Sequence, residues 1–332
     1  MKAFFSELSK EIWQVSFTLF RLMIPAIIVV KILELCGFLK YLGLVLGPVM
    51  EWVGLPESMG IVWATTIFTN IYAGMLVFFY TAQTEVLTVA QVTVLSLLML
   101  FAHGLPVEAR IAQQAGVRLR VTLLLRIGGG LLIAWIMNTL YVEFDWLQEA
   151  NQLAWQPEKP DPSLWSWVVS QVEGLIMIQV IIIVLLTALK ILKLVGIEKL
   201  MTLLLTPVLK VLGIGHQATT ITIVGVTLGL SFGGGLLINE SKAGHVSKRD
   251  VFAAMCLLAL CHSVIEDTLL VLLLGADLSG VLWARIFFSV IVIALMTRVM
   301  DRIPAHYWDK HLTNKHLCGT TCLNTTKPPL AT

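Results

Sequence analysis

The heptapeptide Lys31-Ile-Leu-Glu-Leu-Cys-Gly37 recurs as Lys190-Ile-Leu-Lys-Leu-Val-Gly196, 159 residues further along the chain. A shared preference for apolar residues would produce leucine matches, but it would not repeat a lysine at one end and a glycine at the other. The stretch therefore indicates a duplicated unit, and an internal repeat constrains the fold before any single helix is assigned.

The same register continues through most of the chain without a gap. The matched pairs are Lys40 with Lys199, Pro48 with Pro207, Gly54 with Gly213, Gly74 with Gly233, His103 with His262, Glu108 with Asp267, and Arg126 with Arg285. Matches between ionisable residues are not a product of apolar composition. We therefore predict two homologous halves.

Composition assigns these halves to a membrane. Apolar residues make up 57% of the 332-residue chain and charged residues 13%, against about 25% charged in an average soluble domain. The run 60–84 contains no charge and exceeds the ~20 residues that a spanning helix needs. The sequence predicts an all-α polytopic membrane protein.

Each repeat has the same order of segments: one span, a short proline-bearing amphipathic segment, and three further spans. The predicted segments are 13–36, 39–53, 58–81, 89–113 and 119–141 in the first repeat, and 168–190, 198–212, 217–239, 251–275 and 279–300 in the second. We predict an amphipathic N-terminal segment over 1–12, repeat 1 over 13–141, a periplasmic connector over 142–166, repeat 2 over 167–300 and a cytoplasmic tail over 301–332.

Loop charges predict that the two repeats are inserted in opposite orientations. The loop 110–120 carries three arginines, whereas the equivalent loop 269–279 carries only Asp277. The turn 82–88 is acidic and its equivalent 241–249 is basic. Because basic loops stay in the cytoplasm, we expect inverted repeats with ten crossings, in a bacterial inner membrane, with both termini cytoplasmic. Inverted repeats are a common construction of secondary transporters.

Polar or glycine-rich sequence interrupts one span in each repeat at an equivalent place. Irregular backbone at membrane depth is tolerated where it lines a cavity or is buried in protein, so freed backbone groups there would bind a solute. The predicted substrate-binding residues are Thr66, Thr69, Asn70, Ser231, Gly233, Gly234, Gly235 and Asn239. The alternative is close helix packing through small residues.

Ionisable residues inside spans form a second candidate site. They are His103, Glu108, His262, Glu266 and Asp267. Three hypotheses stay open: proton relay or coupling, since histidine titrates near neutral pH; binding of a divalent cation; or interhelical hydrogen bonds. His262 and Glu266 are four residues apart and are expected on one helical face. Arg126 and Arg285 are expected to snorkel to the membrane interface.

The tail concentrates imidazole and thiol groups, which suit zinc, copper or iron. The candidate metal ligands are His306, His311, His316, Cys318 and Cys322. Their spacing matches no zinc-finger pattern, so incidental metal binding is an equal alternative.

Phosphate-loop, nucleophile-elbow and HExxH motifs do not occur in the sequence. We therefore expect no enzymatic activity and no cofactor. With a net charge of +2, we expect no nucleic-acid polymer as partner. The expected partners are the lipid bilayer and a small-molecule or ion substrate, with a homo-oligomer as one option.

The pattern of span, short proline-bearing helix and interrupted span, from Gly37 through Gly74 and again from Gly196 through Gly235, resembles the Gate or nucleoside-recognition family. That unit occurs in concentrative nucleoside transporters, the membrane region of the ferrous-iron permease and spore-maturation membrane proteins. The resemblance implies a membrane transport body whose broken helices form the substrate site and gate, and it assigns no substrate. Together with the inverted repeats, it leads us to predict a secondary transporter for a small polar, nucleoside-like solute, coupled to an ion or to protons. The alternatives are a divalent metal ion permease and a non-transporting scaffold that acts with a partner.

Overall fold

A computed structural model describes residues 2–153, 163–230, 237–238 and 246–313. Over these ranges the chain is helical, and the only β-type pairings are two isolated bridges, Thr88 with Ala150 and Val117 with Thr313. Several helices are long and apolar enough to cross a bilayer. The protein is therefore an all-α polytopic membrane protein, as predicted.

The helices of the first half precede the connector. They are α1 (Lys2–Leu35), α2 (Phe38–Trp52), α3 (Met59–Phe68), α4 (Ile71–Thr81), α5 (Val89–Ala102), α6 (Leu105–Gln114) and α7 (Leu119–Glu143). The second half contributes α8 (Leu164–Val195), α9 (Ile197–Val211), α10 (His216–Leu228), α11 (Lys248–Leu260), α12 (Val264–Leu272), α13 (Ser279–Arg302) and α14 (Ala305–Leu312).

Four stretches have the length and hydropathy of a membrane span: α7, Leu164–Ala188 within α8, Lys248–Leu272, and α13. A fifth arises if α5 and α6, bent by 41° at their junction, form one span. The other apolar helices in the described ranges are shorter. Ten crossings therefore stays a prediction, while multiple crossings are established.

The backbone repeats with the same 159-residue offset as the sequence. Positive φ angles occur at Gly37 and Gly196, Gly54 and Gly213, Gly104 and Ser263, and Gly116 and Gly275. Gly104 has φ 55° and Ser263 has φ 46°, a left-handed conformation that costs an L-residue roughly 1–2 kcal/mol. Ser263 adopts this unfavourable conformation at the position equivalent to Gly104. The two repeats therefore share the bend itself and not the residue type.

Helix interruptions recur at equivalent places too. The break between α3 and α4 falls at Thr69 and Asn70, and α10 ends at Leu228, the equivalent of Thr69. The break between α5 and α6 matches the one between α11 and α12. The predicted interruption is confirmed in the span 58–81, which is two helices. The predicted spans 89–113 and 251–275 are also two helices each rather than one, and the predicted break at 231–235 lies outside the described residues.

The first helices of the two repeats, α1 and α8, pack antiparallel. Lys190, near the end of α8, places Nζ 3.0 Å from the Glu11 carboxylate, near the start of α1. Lys31, near the end of α1, lies over the Trp167 ring near the start of α8, 5.6 Å from its centroid. Equivalent helices that run in opposite directions agree with inverted repeats.

The chain forms two compact units, and these do not coincide with the two repeats. The first comprises Met1–Pro106, Ile127–Glu198 and Ile265–Ile286; the second comprises Val107–Arg126, Lys199–Val264 and Phe287–Thr332. The second unit thus contains one segment of about 20 residues from repeat 1, and the first unit contains the equivalent segment of repeat 2 together with the first span of that repeat. Each exchanged segment begins near the bend of one span and ends at or beside the arginine of the next.

The central helix of each unit is apolar on all sides and buried. In the first unit this helix is α5. Trp63, on α3, donates its indole N–H to the carbonyl of Leu98, on α5, at 3.2 Å. In the second unit it is α11, all of whose residues from Val251 to Leu260 are buried. A helix that is apolar all round belongs in a core, and each of these helices ends next to a histidine.

Candidate functional site

A histidine lies one residue beyond α5 and two residues beyond α11, and a carbonyl of the helix's last turn fixes the orientation of its ring. His103 Nδ1 lies 3.1 Å from the Met99 carbonyl, and His262 Nδ1 lies 2.6 Å from the Leu258 carbonyl. A carbonyl oxygen only accepts, so Nδ1 carries the hydrogen in both rings. The other ring nitrogen, Nε2, is left to exchange a proton.

The carboxylates of the site lie in the first turn of the helix that follows each bend. Glu108 is in the first turn of α6, and Glu266 and Asp267 are in the first turn of α12. The N-terminus of a helix carries a partial positive charge, which stabilises an anion there by about 0.3–1 kcal/mol. The bend therefore gives each repeat a histidine on one half-helix and an acid at the start of the next.

In the second compact unit, one carboxylate contacts a histidine and an arginine. His262 Nε2 lies 3.3 Å from Glu108 Oε1, and Arg126 Nη1 forms an ion pair with Glu108 Oε2. The arginine side chain is completely buried, and that of His262 is 2% exposed. A π-helical turn at Leu124–Gly128 carries Arg126, and such turns are frequent at functional sites.

The first compact unit contains the equivalent group with the repeats exchanged. His103 Nε2 lies 3.9 Å from Asp267 Oδ2, and Arg285 Nη2 lies 3.7 Å from the same oxygen. Arg285 is completely buried, and it follows directly after the π-helical turn Ser279–Ala284. We call these two groups the His262 triad (His262, Glu108, Arg126) and the His103 triad (His103, Asp267, Arg285).

Each triad combines a histidine from one repeat with an acid and an arginine from the other.

Two sequence interpretations are wrong in view of this geometry. His262 and Glu266 do not share a helical face, because α11 ends at Leu260 and the chain bends at Ser263 before α12 begins. Arg126 and Arg285 do not snorkel to an interface, because both guanidinium groups are buried against carboxylates.

The geometry of each triad leaves Nε2 of the histidine facing a carboxylate oxygen. With Nδ1 already donating to a carbonyl, a neutral ring would direct the Nε2 lone pair at that oxygen. A proton on either the ring or the acid would remove the repulsion, and the arginine stabilises the ionised acid. Each triad is therefore a candidate proton-binding site.

The predicted solute-binding threonines use their hydroxyl groups within α3. Thr66 Oγ1 donates to the Val62 carbonyl at 2.7 Å, and Thr69 Oγ1 donates to the Thr65 carbonyl at 2.6 Å. The Thr66 carbonyl, which the helix break releases, accepts the Gly104 N–H at 3.0 Å. In the first unit the two bends are thus joined by a backbone hydrogen bond.

Asn70 caps the helix that follows the break. Its Oδ1 accepts the Ala73 N–H at 2.9 Å, and its Nδ2 atom is buried and has no hydrogen-bond partner in the described part of the chain. The solute-binding role of Thr66, Thr69 and Asn70 stays a prediction. Ser231, Gly233, Gly234, Gly235 and Asn239 lie outside the described residues.

Only two of the five candidate metal ligands of the tail lie among the residues that the structure describes. His306 and His311 both pack against the ring of Tyr307, with centroid distances of 4.9 and 6.1 Å. His316, Cys318 and Cys322 lie outside the described residues, so the tail metal site stays a prediction.

One polar residue near the site was not identified from the sequence. Tyr72, in α4, lies with its hydroxyl 3.2 Å from Glu266 Oε1. Its equivalent in the second repeat is Ser231, so the repeat comparison gave no reason to select it.

The chain is 27% identical over 305 residues to a Bacillus subtilis protein described as the uncharacterized membrane protein YvoD, with 90% of this chain and 93% of that protein covered. No protein-family model and no solved structure matches the chain. The apolar helices and this relative together define a multi-pass membrane protein, and they support membership of a family of membrane proteins.

Proposed function

We propose that the protein is a proton-coupled secondary transporter for a small polar solute. The observation that carries the proposal is the pair of buried His–carboxylate–Arg triads, one in each compact unit. Ionisable residues within spans are costly and mark ion or proton routes. The two groups occupy equivalent places in two repeats, and transporters built from inverted repeats commonly work by alternating access.

Proton coupling fits the triads better than a divalent cation does. An arginine guanidinium group lies within ion-pair distance of Asp267 and another lies within ion-pair distance of Glu108. Each arginine already neutralises the negative charge that would attract a metal cation. Each histidine donates its Nδ1 hydrogen to a carbonyl, so Nε2 is the ring atom left to bind a proton.

The finer parts of the proposal rest on the resemblance to the Gate family. Because that family includes nucleoside transporters, a nucleoside-like solute is the first to test, and the loop charges favour a bacterial inner membrane with both termini in the cytoplasm. A divalent-metal permease and a scaffold that acts through a partner are the competing functions, and transport measurements separate all three.

The test uses the full-length protein in liposomes with a trapped pH indicator and an inward proton gradient. Uridine and adenosine are the first probes, followed by a small-molecule extract of bacterial cytosol analysed by mass spectrometry. We expect at least one polar solute to accumulate together with proton entry, and a protonophore to abolish both. Movement of Fe²⁺ or Zn²⁺ alone, or of no solute, would overturn the proposal.

A conservative variant separates proton exchange from structure. His262→Asn retains an N–H that can donate to the Leu258 carbonyl but has no second ring nitrogen, so it should fold and lose proton-driven accumulation by at least tenfold. Arg110→Gln, on the exposed face of α6, is the matched control and should transport as the parent protein does.

A further inference from the structure

The buried sites of the two compact units differ in one acidic residue. Glu266, in the first unit, corresponds to Val107 in the second. With both acids ionised and the histidine neutral, the site in the first unit has two carboxylates for one arginine, whereas the site in the second unit has one carboxylate for one arginine. The first site therefore has one negative charge more than the second.

The contacts of Glu266 differ from those of the triad acids. Its Oε1 accepts from the Tyr72 hydroxyl at 3.2 Å, whereas Asp267 lies beside Arg285 and His103. The groups that face Glu266 are Tyr72 on α4, Asp267 on its own helix and His103 at the end of α5. The arginine of this site, Arg285, pairs with Asp267.

A carboxylate inside a span without its own counter-ion costs several kcal/mol, and the simplest remedy is to bind a proton. We propose that Glu266 binds a proton separate from that of the His103 triad. The tyrosine hydroxyl donates to the carbonyl oxygen of the neutral acid, and the proton resides on its other oxygen. The first unit then holds two exchangeable protons and the second unit one.

This inference rests on the proposed function only for its role in transport. An unequal number of protons makes the two otherwise matched halves differ in how their charge responds to pH. The direction of net transport still follows the imposed gradients. Proton binding itself needs no solute and is measured on the resting protein.

Infrared difference spectroscopy between acidic and alkaline buffers reports the C=O stretch of protonated carboxyl groups. With the full-length protein in lipid vesicles, we expect a carboxyl band that Glu266→Gln removes and that Glu173→Gln, an exposed change on α8, leaves unchanged. Tyr72→Phe should keep the band and raise its frequency, because the carbonyl loses a hydrogen-bond donor. The carboxyl band of Glu266 should still be present in Asp267→Asn.

A band that persists unchanged in Glu266→Gln, or that NaCl removes and choline chloride does not, would overturn the proposal, since the site would then hold no proton or would take Na⁺. Tyr72→Phe keeps the test decisive if Glu266→Gln misfolds, because a band of unaltered frequency in that conservative variant also contradicts the assignment. Failed solute transport with the band present would reject the proposed function alone.

Discussion

At the scale of single residues, the triads depend on completely buried arginines. Arg126 and Arg285 have no exposed surface, and each is balanced by an acid from the first turn of a bent span. Removing one partner of a buried ion pair typically costs about 3–5 kcal/mol, because the other charge is left uncompensated. Removing both partners costs less, since no charge remains buried.

We therefore predict that Glu108→Gln and Arg126→Gln each lower the free energy of unfolding by about 3–5 kcal/mol, and that the double variant loses less than the sum. Denaturant unfolding in mixed micelles measures the stability of the parent protein, the two single variants and the double variant. Arg110→Gln should change stability by less than about 0.5 kcal/mol. Additive losses would mean that the pair does not interact.

At the scale of helices, the bends determine which residues meet. Composition and length predicted the spans, and polar residues predicted the interruption in the 58–81 segment. The pairing of His103 with Asp267 and of His262 with Glu108 was not predictable in the same way. It depends on which helix packs beside which, and a pattern within one helix, such as the four-residue spacing of His262 and Glu266, carries no such information.

The equivalent bends at Gly104 and Ser263 give a matched pair of backbone predictions. Gly104→Ala should destabilise the protein by about 1–2 kcal/mol, the cost of a left-handed conformation for an L-residue. Ser263→Gly should be neutral or stabilising for the same reason. Thermal unfolding in detergent measures both, and equal effects of one sign would contradict a shared bend.

Close contact between α3 and α4 gives a second prediction at this scale. A Cβ atom on Gly74 would overlap Thr66 Oγ1 and lie 3.1 Å from Met99 Cε. Gly74→Ala should therefore destabilise the first unit by about 1–3 kcal/mol through overpacking. Adding Thr66→Ala should recover part of that loss in the same unfolding measurement. No recovery would show that the overlap is not the cause.

At the scale of the whole molecule, the duplicated sequence predicted more than any local pattern did. The 159-residue register matched His103 with His262, Glu108 with Asp267 and Arg126 with Arg285, and these six residues are the members of the two triads. The register could not reveal that each triad draws on both repeats, because exchange of a segment between compact units leaves the sequence of each repeat unchanged.

The central claim is that the two repeats are inverted copies, so that equivalent loops lie on opposite sides of the membrane. The antiparallel packing of α1 and α8 and the opposite charge of equivalent loops both support it. Single cysteines in a variant lacking the five native cysteines provide the direct measurement. Gln114→Cys and Leu278→Cys place exposed thiols in or beside the two equivalent loops.

Labelling of intact cells with a membrane-impermeant maleimide, before and after permeabilisation, gives the result. We predict that the cysteine at position 278 reacts in intact cells and that the cysteine at position 114 reacts only after permeabilisation. Reaction of both positions from the same side would contradict the inverted arrangement and, with it, the alternating-access function proposed for the two triads.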